Sequence, residues 1–484
     1  MWQMIIKEGV SKQGMEKKRR REFLKTTGVA GAAVAAPPFL SGCVDTEGLG
    51  ASGLRIGVIQ PYSGIEGYWG EMSTFGFVSG LAYRYGEDPP PEDGDEEGTI
   101  NVEDGATFSF EAEDRTYQLV LRDTELEAGR AQEVATSLVT DDDVDMLFGC
   151  VSSDATERVI QQVAKPTDTP YVVGASSGIA TVGNPDLCGR TIFRANEHTG
   201  MEARAEARYI GEETETQTVY LLGPDNVFGR SFGRMYRRAL EENGVEVVGE
   251  RFVPSGYSEF RGILEDIDQQ AEAVGINFTA DTLPNFLPTF VNGNVSGAFD
   301  LRGYAAFPGR TAMNLIGNTL ESQFGEITEE NIQEANIGGL ASRYHWNQYD
   351  NPINDEFVPA YVNAYGSMPD FFTSGSFAAA SAIAQAVEET GSEEGSDVAE
   401  AMYGMTVEQT PKGENGYVFQ EHNNQAKSEM TVAEIVPNEP GRWEGEFGPE
   451  QWNAPIMPSE PVARISADEA ALPADDPEME CDLR

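Results

Sequence analysis

Gly174-Ala175-Ser176-Ser177-Gly178 is the stretch of this chain that most directly suggests chemistry. The G-x-S-x-G spacing after an apolar run is the pattern of a nucleophile elbow, in which a sharp strand-to-helix turn lifts a serine hydroxyl toward a base. A hydrolase built on Ser176 needs a carboxylate and a histidine in reach. His198 follows closely, His345 and His422 have no supporting context, and IATVGNPD after Gly178 is not the long helix an elbow requires. The same hydroxyls, with Ser152 and Ser153 after an earlier apolar run, suit binding instead. Hydroxyls and free backbone N–H groups at helix starts favour a carboxylate or amide oxygen. Metal chemistry is not expected. Asp93, Asp95, Glu97, Gly98 and Asp104 roughly match a calcium-loop spacing, but with Glu at the fifth position and Asp at the twelfth they read as a solvated acidic loop. The chain has no C-x-x-C and its histidines are scattered, so neither zinc nor any cofactor is expected. Cys150 and Cys188 either pair or stay separate buried thiols.

The elements that hold these residues alternate. Residues 54–60 (LRIGVIQ) form a compact apolar run ending at a Pro/Gly turn, as a buried parallel strand does. A helix over 75–85, a strand over 117–123, a helix over 128–139, a strand over 145–149, a helix over 158–164 and a strand over 171–174 follow. The rhythm restarts with strands at 219–222, 245–252 and 273–278 separated by helices at 229–243 and 260–271. The expected fold is α/β, with two doubly wound parallel-sheet lobes. Residues 86–116 read as an acidic, proline-rich surface insertion. The end of the chain, 456–484, reads as a loosely held acidic tail.

Residues 17–43 (KKRRREFLKTTGVAGAAVAAPPFLSGC) have the order of an export signal: basic cluster, short apolar run, small-residue cleavage zone. The apolar run is too short to span about 30 Å of hydrocarbon. Arg20-Arg21 ahead of Phe23-Leu24-Lys25 resembles a twin-arginine address for folded cargo. Leu40-Ser41-Gly42-Cys43 resembles a lipobox, which makes Cys43 the lipidated first residue of an extracellular, membrane-tethered chain. Met15 is a plausible start, and 44–53 reads as a linker.

The chain carries 33 basic and 81 acidic side chains, a net charge of −48. Beyond the signal only Lys165, Lys412 and Lys427 remain, whereas arginine is common. Acid spread along the whole chain with so little lysine suits multimolar salt, which screens self-repulsion within about 3 Å. A haloarchaeal source is therefore expected. Nucleic-acid binding is disfavoured because no basic stripe exists.

SGIEGYWGEMSTFGFVSGLAY, LFGCVSSDAT, PYVVGASSG, TIFRAN, VYLLGPDNVFGRSFGRMYRRALEENGVEVVGERF, FVPAYVNAYGSMPDFFTSGSFAAASAIAQAVEETGS and TPKGENGYVFQEHNNQAKSEM occur in this order between residues 54 and 437. Together they resemble the type I periplasmic binding proteins of ABC importers, closest to the branched-chain amino acid and amide-binding branch. That resemblance implies a three-segment hinge, with lobe one at 54–195 plus 345–411 and lobe two at 196–344 plus 412–455. It also implies capture of a small polar ligand by hinge closure, delivery to permease subunits, and no enzymatic activity. A ligand-sensing receptor on the same fold is the competing class. By position, Ser153, Ala175 and Ser177 match the residues that hold a ligand carboxylate, with Ser152 and Ser176 as one-residue alternatives. Trp69 matches an aromatic over the ligand, or else is an ordinary core residue. Thr279, Ala280 and Phe307 mark the lobe-two side, and Phe228 stands where relatives often carry Tyr. Relatives that bind amino acids place a lobe-two carboxylate on the ligand ammonium. Here GYAAFPGR offers none, and Asp225 or Asp281 could serve only with shifted geometry. An amide, urea-like or aromatic-acid ligand would fit a less charged cleft.

Overall fold

The structure, a computed structural model, describes residues 53–64, 67–92, 99–112, 115–279, 281–306, 309–443 and 447–484. The export signal expected at 1–43, with Arg20, Arg21 and Cys43, lies outside them, as do Ala280, Phe307 and residues 93–98. Among the described residues no helix is long and apolar enough to cross a membrane.

The apolar runs become strands where they were expected. β1 (Leu54–Gln60) is buried at every position but Arg55, as a strand covered on both faces must be. With β2 (Thr107–Ala112), β3 (Arg115–Asp123), β4 (Met146–Gly149), β5 (Tyr171–Val173) and β6 (Ile192–Arg194) it forms a sheet ordered β2-β3-β1-β4-β5-β6, parallel except for β2. The second sheet takes β7 (Thr218–Pro224), β8 (Glu246–Val253), β9 (Ala273–Ile276), β10 (Arg302–Ala306) and β11 (Ile337–Ser342). Short β12 (Thr406–Val407), β13 (Tyr417–Phe419) and β14 (Ala426–Lys427) make a small antiparallel sheet. β15 (Met430–Pro437) and β16 (Ile456–Ile465) then return to the second sheet, ordered β16-β15-β11-β10-β9-β7-β8. The cores β3-β1-β4-β5-β6 and β8-β7-β9-β10-β11 share one winding, with the order reversing beside β1 and β7. Such a reversal opens a crevice beyond the carboxyl ends of the strands.

The chain passes between the lobes after β6, after β11 and between β14 and β15. Helices Pro352–Tyr365, Thr373–Thr390 and Gly395–Met402 belong to lobe one. The small sheet sits against the first crossing, where Arg194 and Gln425 form a β-bridge and Phe193 meets Phe419 edge-on at 5.5 Å.

Three expectations change. Within 86–116 the run TFSFEA buries Phe108, Phe110 and Ala112 and exposes the alternate positions, so it pairs with β3 as an edge strand. This period-2 signal lies among acidic and proline-rich neighbours that obscure it. Residues 456–465 are the edge strand β16 and not a loose tail. Cys188 pairs with Cys481, while Cys150 is a buried free thiol.

Helix Gly67–Arg84 packs on helix Thr373–Thr390 through two glycines one turn apart. A Cβ on Gly76 would stand 2.7 Å from the Thr373 carbonyl oxygen, and one on Gly80 would stand 2.4 Å from that of Phe377. Backbone, not a flexible side chain, blocks both. Gly80→Ala is therefore expected to force the helices apart and cost about 1–3 kcal/mol, read as a lower urea midpoint in high salt. An unchanged midpoint would mean the contact yields freely.

Candidate functional site

The crevice between the lobes is a cavity of about 440 Å³. Its lobe-one floor is built where β4 and β5 end. Gly149 leaves β4 at φ 132°, with a virtual Cβ 2.2 Å from the Ile59 carbonyl oxygen, so only glycine fits. The turn that follows delivers Ser152, whose hydroxyl caps helix Ser153–Val159 by accepting from the Ala155 N–H at 3.3 Å. Ser153 Oγ accepts from the Gly178 N–H at 3.0 Å and ties this turn to the one after β5. There Ser177 Oγ donates to the Ala175 carbonyl at 3.3 Å and accepts from the Arg343 guanidinium.

Arg343 was not singled out from the sequence. It lies on the second crossing, 1% exposed, and touches the floor from behind. Its Nη1 donates to the Ala175 carbonyl at 3.1 Å and its guanidinium lies 5.2 Å from the Phe372 ring centre. Its Nε donates to Glu202 of lobe two at 2.5 Å. Three cleft residues therefore rest on one buried cation. Burial pushes the Glu202 carboxyl up to about 7 even with Arg343 beside it.

Of the two lobe-two carboxylates named from sequence, one lines the cleft. Asp281, in the turn beyond β9, lines the cleft and accepts hydrogen bonds from Ser255 Oγ and, at 2.6 Å, from Thr279 Oγ1. Burial opposes its charge, but those hydroxyls outweigh it and hold the carboxyl below its ordinary value. Asp225 instead pairs with Arg230 at 2.6 Å and is absent from the cleft lining. Asn277, 4% exposed, lines the cleft with an amide nitrogen that meets no acceptor among the described residues.

The lobes meet over the mouth of the cleft. Asp370 of lobe one, fully buried, accepts from the Arg310 N–H at 2.7 Å, at the start of lobe-two helix Arg310–Phe324. Tyr68 donates to the same carboxylate oxygen at 3.1 Å, and the Arg310 guanidinium covers the Tyr68 ring at 4.3 Å. Gly309 packs so closely on Phe371 that a Cβ would stand 2.3 Å from that ring. Trp69 stands edge-on to Phe372 at 6.1 Å.

Of the residues picked from sequence, Trp69, Ser152, Ser153, Ala175, Ser177, Phe228 and Thr279 line the cavity. Ser176 does not. It is fully buried, its N–H donates to the Cys150 carbonyl at 3.2 Å and its own carbonyl accepts from Arg194 at 3.3 Å. The elbow reading loses its base as well. His198 Nδ1 accepts from the Gly200 N–H at 3.0 Å as a helix cap, and burial holds that imidazole well below its ordinary value. Asp104 accepts from the Asp123 N–H at 2.9 Å and faces Arg130 at 3.6 Å. Among the described residues no group of His, Cys, Asp or Glu is placed to hold a metal ion. Phe371 and Phe372 were missed, although an aromatic pair just ahead of a buried helix was a usable signal.

A family-wide sequence profile described as periplasmic binding protein matches residues 53–440. A search of curated protein sequences gave no match. Among solved structures the chain is similar to an ABC-type branched-chain amino acid transporter from Rhodopseudomonas palustris (21% identity, TM-score 0.64, covering 87% of this chain and 98% of that one). It is also similar to an amino acid ABC transporter substrate-binding protein from Pseudomonas fluorescens (20%, 0.67, 90% and 100%). A third is an ABC transporter solute-binding protein from Rhodopseudomonas palustris in complex with 3,4-dihydroxybenzoic acid (15%, 0.64, 86% and 97%).

The raised Glu202 carboxyl has a consequence for stability. Between its ordinary value of 4.5 and about 7, the folded chain keeps a proton that the unfolded chain releases. Its contribution to stability therefore falls as pH rises through that window. Glu202→Gln should flatten the decline without abolishing it, because burial also holds the Glu206 carboxyl well up. Melting temperatures across the window at constant salt test this. An unchanged slope in Glu202→Gln would contradict it.

Proposed function

The chain belongs to the periplasmic binding protein family, and from that premise we propose that it is the substrate-binding protein of an ABC importer, capturing an amino acid with a bulky apolar side chain. One observation carries the ligand class: Asp281, held ionised by Ser255 and Thr279, lines the same cavity as the lobe-one serines. A zwitterion fits that polarity. Its carboxylate is received by Ser153, Ala175 and Ser177, with Arg343 behind two of them. Its ammonium is received by Asp281. Trp69, Phe228, Phe278, Phe371 and Phe372 supply apolar wall for the side chain. Contacts from both lobes favour the closed form over the open one, and a ligand shifts that balance only by such a difference. The permease reads the closed form.

A second reading, an aromatic acid without an ammonium, is favoured by the ring-rich lining and by the relative that holds 3,4-dihydroxybenzoic acid. The two separate cleanly. In a thermal-shift screen in high salt, leucine, isoleucine, valine and phenylalanine are expected to stabilise the protein and benzoates are not. Asp281→Asn should weaken amino-acid binding by about 2 kcal/mol or more. Stabilisation by benzoates that survives or strengthens in Asp281→Asn would overturn the amino-acid reading. No stabilisation by either class would remove both.

The reading extends to place. Cys43 as a lipidated first residue tethers the receptor beside its permease on the outer face of the membrane. Arg20 and Arg21 send it through the twin-arginine route, which suits an acidic chain that folds in a salt-rich haloarchaeal cytoplasm before crossing. Cys43→Ser should release the protein into the medium, seen by blotting the culture supernatant. Retention on the cells would end the lipid-anchor reading.

A further inference from the structure

Beyond β16 the chain stays on the body and visits both lobes. Helix Ala467–Ala470 lies along lobe-two helix Thr199–Glu213, where Glu469 accepts from Arg204 through its carbonyl at 2.9 Å and faces Arg208 through its carboxylate at 2.5 Å. Leu472 is buried against Gly200. Asp476, itself 6% exposed, pairs with Arg238 of lobe-two helix Val227–Glu242 at 2.6 Å. The chain then crosses to lobe one. Met479 enters an apolar cluster shared by Ile179 and Val182 of lobe one and Met201 of lobe two. The N–H groups of Glu480 and Cys481 both donate to the Gly183 carbonyl at 3.0 Å, and Cys481 is disulfide-bonded to Cys188. Leu483 donates to the His422 carbonyl at 2.9 Å. All of this lies past residue 440, where the family profile ends.

We propose that residues 466–484 form a strap that limits how far the two lobes part, with the Cys188–Cys481 bond as its fixed end on lobe one and the Arg238–Asp476 pair as its clasp on lobe two. A disulfide within one lobe would leave hinge motion untouched. This one closes a loop of chain that has passed through lobe two, so opening must stretch it. From Asp476 to Cys481 five peptide steps reach at most about 18 Å when fully extended. Pro477 within that span restricts it further. While the clasp holds, that span, the 6.4 Å between the disulfide's Cα atoms and the reach of the Arg238 and Asp476 side chains together bound how far the 183–190 loop moves from helix Val227–Glu242. Restricting the open ensemble raises the fraction poised to close, which tightens apparent binding without any new ligand contact. The strap rests on the two-lobed capture reading, but its test needs no ligand.

The measurement is small-angle X-ray scattering of the ligand-free full chain in high salt, with far-UV circular dichroism alongside. It compares oxidised protein, protein reduced with dithiothreitol, the Cys188→Ser/Cys481→Ser double variant, and Asp476→Asn with the disulfide intact. The strap predicts a larger radius of gyration and maximum dimension on reduction and in the double variant, a smaller increase in Asp476→Asn, and unchanged dichroism in all. Identical dimensions in all four would overturn it. So would an increase accompanied by lost helical signal, since the bond would then be holding lobe one folded and not bounding the hinge. Failure of every ligand in the thermal screen would count against capture and leave the scattering result to stand or fall by itself.

Discussion

A guanidinium sealed away from water is the constraint on which the rest of this structure turns. Arg343 loses its hydration on folding, a cost of several kcal/mol per ion that only close and complete pairing offsets. Its partners are Glu202 from lobe two and Ala175 and Ser177 from lobe one, so satisfying one cation fixes three pieces of chain against each other. Each of the three hinge passages brings a buried cation of its own. Arg194 on the first donates to Gln425 at 2.6 Å and to the Gly178 carbonyl at 2.7 Å. Lys412, beside the third, pairs with Glu197 at 2.7 Å, where Tyr417 and Ser428 also donate. The hinge is therefore a polar network with specific angles, and the cleft floor is part of it.

The charge pattern of the whole chain divides along the same line. On the surface the acids outnumber their partners, and pairs such as Arg261–Glu265 or Arg208–Glu212 are exposed, worth little individually and less in salt. Inside, Arg343 and Lys412 are each paired with a buried carboxylate, so screening hardly reaches them. Of the three lysines beyond residue 43, Lys412 is the one committed to an interior pair. High salt relieves the outside without loosening the hinge. The strap follows this division at its fixed end, since a covalent bond does not depend on ionic strength as exposed pairs do.

Much of the frame was legible because buried parallel strands are short apolar runs with turns at their ends. β1 was read at 54–60 and occupies Leu54–Gln60. The floor serines were legible too, since strand ends mark the crevice. The failures share a cause, which is distance along the chain. Arg343 and Glu202 are 141 residues apart, and Cys188 and Cys481 are separated by 293, so no local pattern pairs them. Ser176 fits a motif letter by letter, yet the turn rotates its neighbour Ser177 into the cleft and buries Ser176. Asp281 was in view but could not be chosen over Asp225 until the turns beyond β8 and β9 were known to bring Ser255 and Thr279 to it.

The central claim is that the cleft reads a dipole, with the ligand's negative group on the lobe-one floor over Arg343 and its positive group on lobe two. A crystal structure of the protein with the best stabilising compound tests this most directly. The account predicts a carboxylate within hydrogen-bond distance of Ser153 and Ser177 and an ammonium on Asp281. A ligand bound the other way round, or held without contact to either Asp281 or the floor serines, would contradict it.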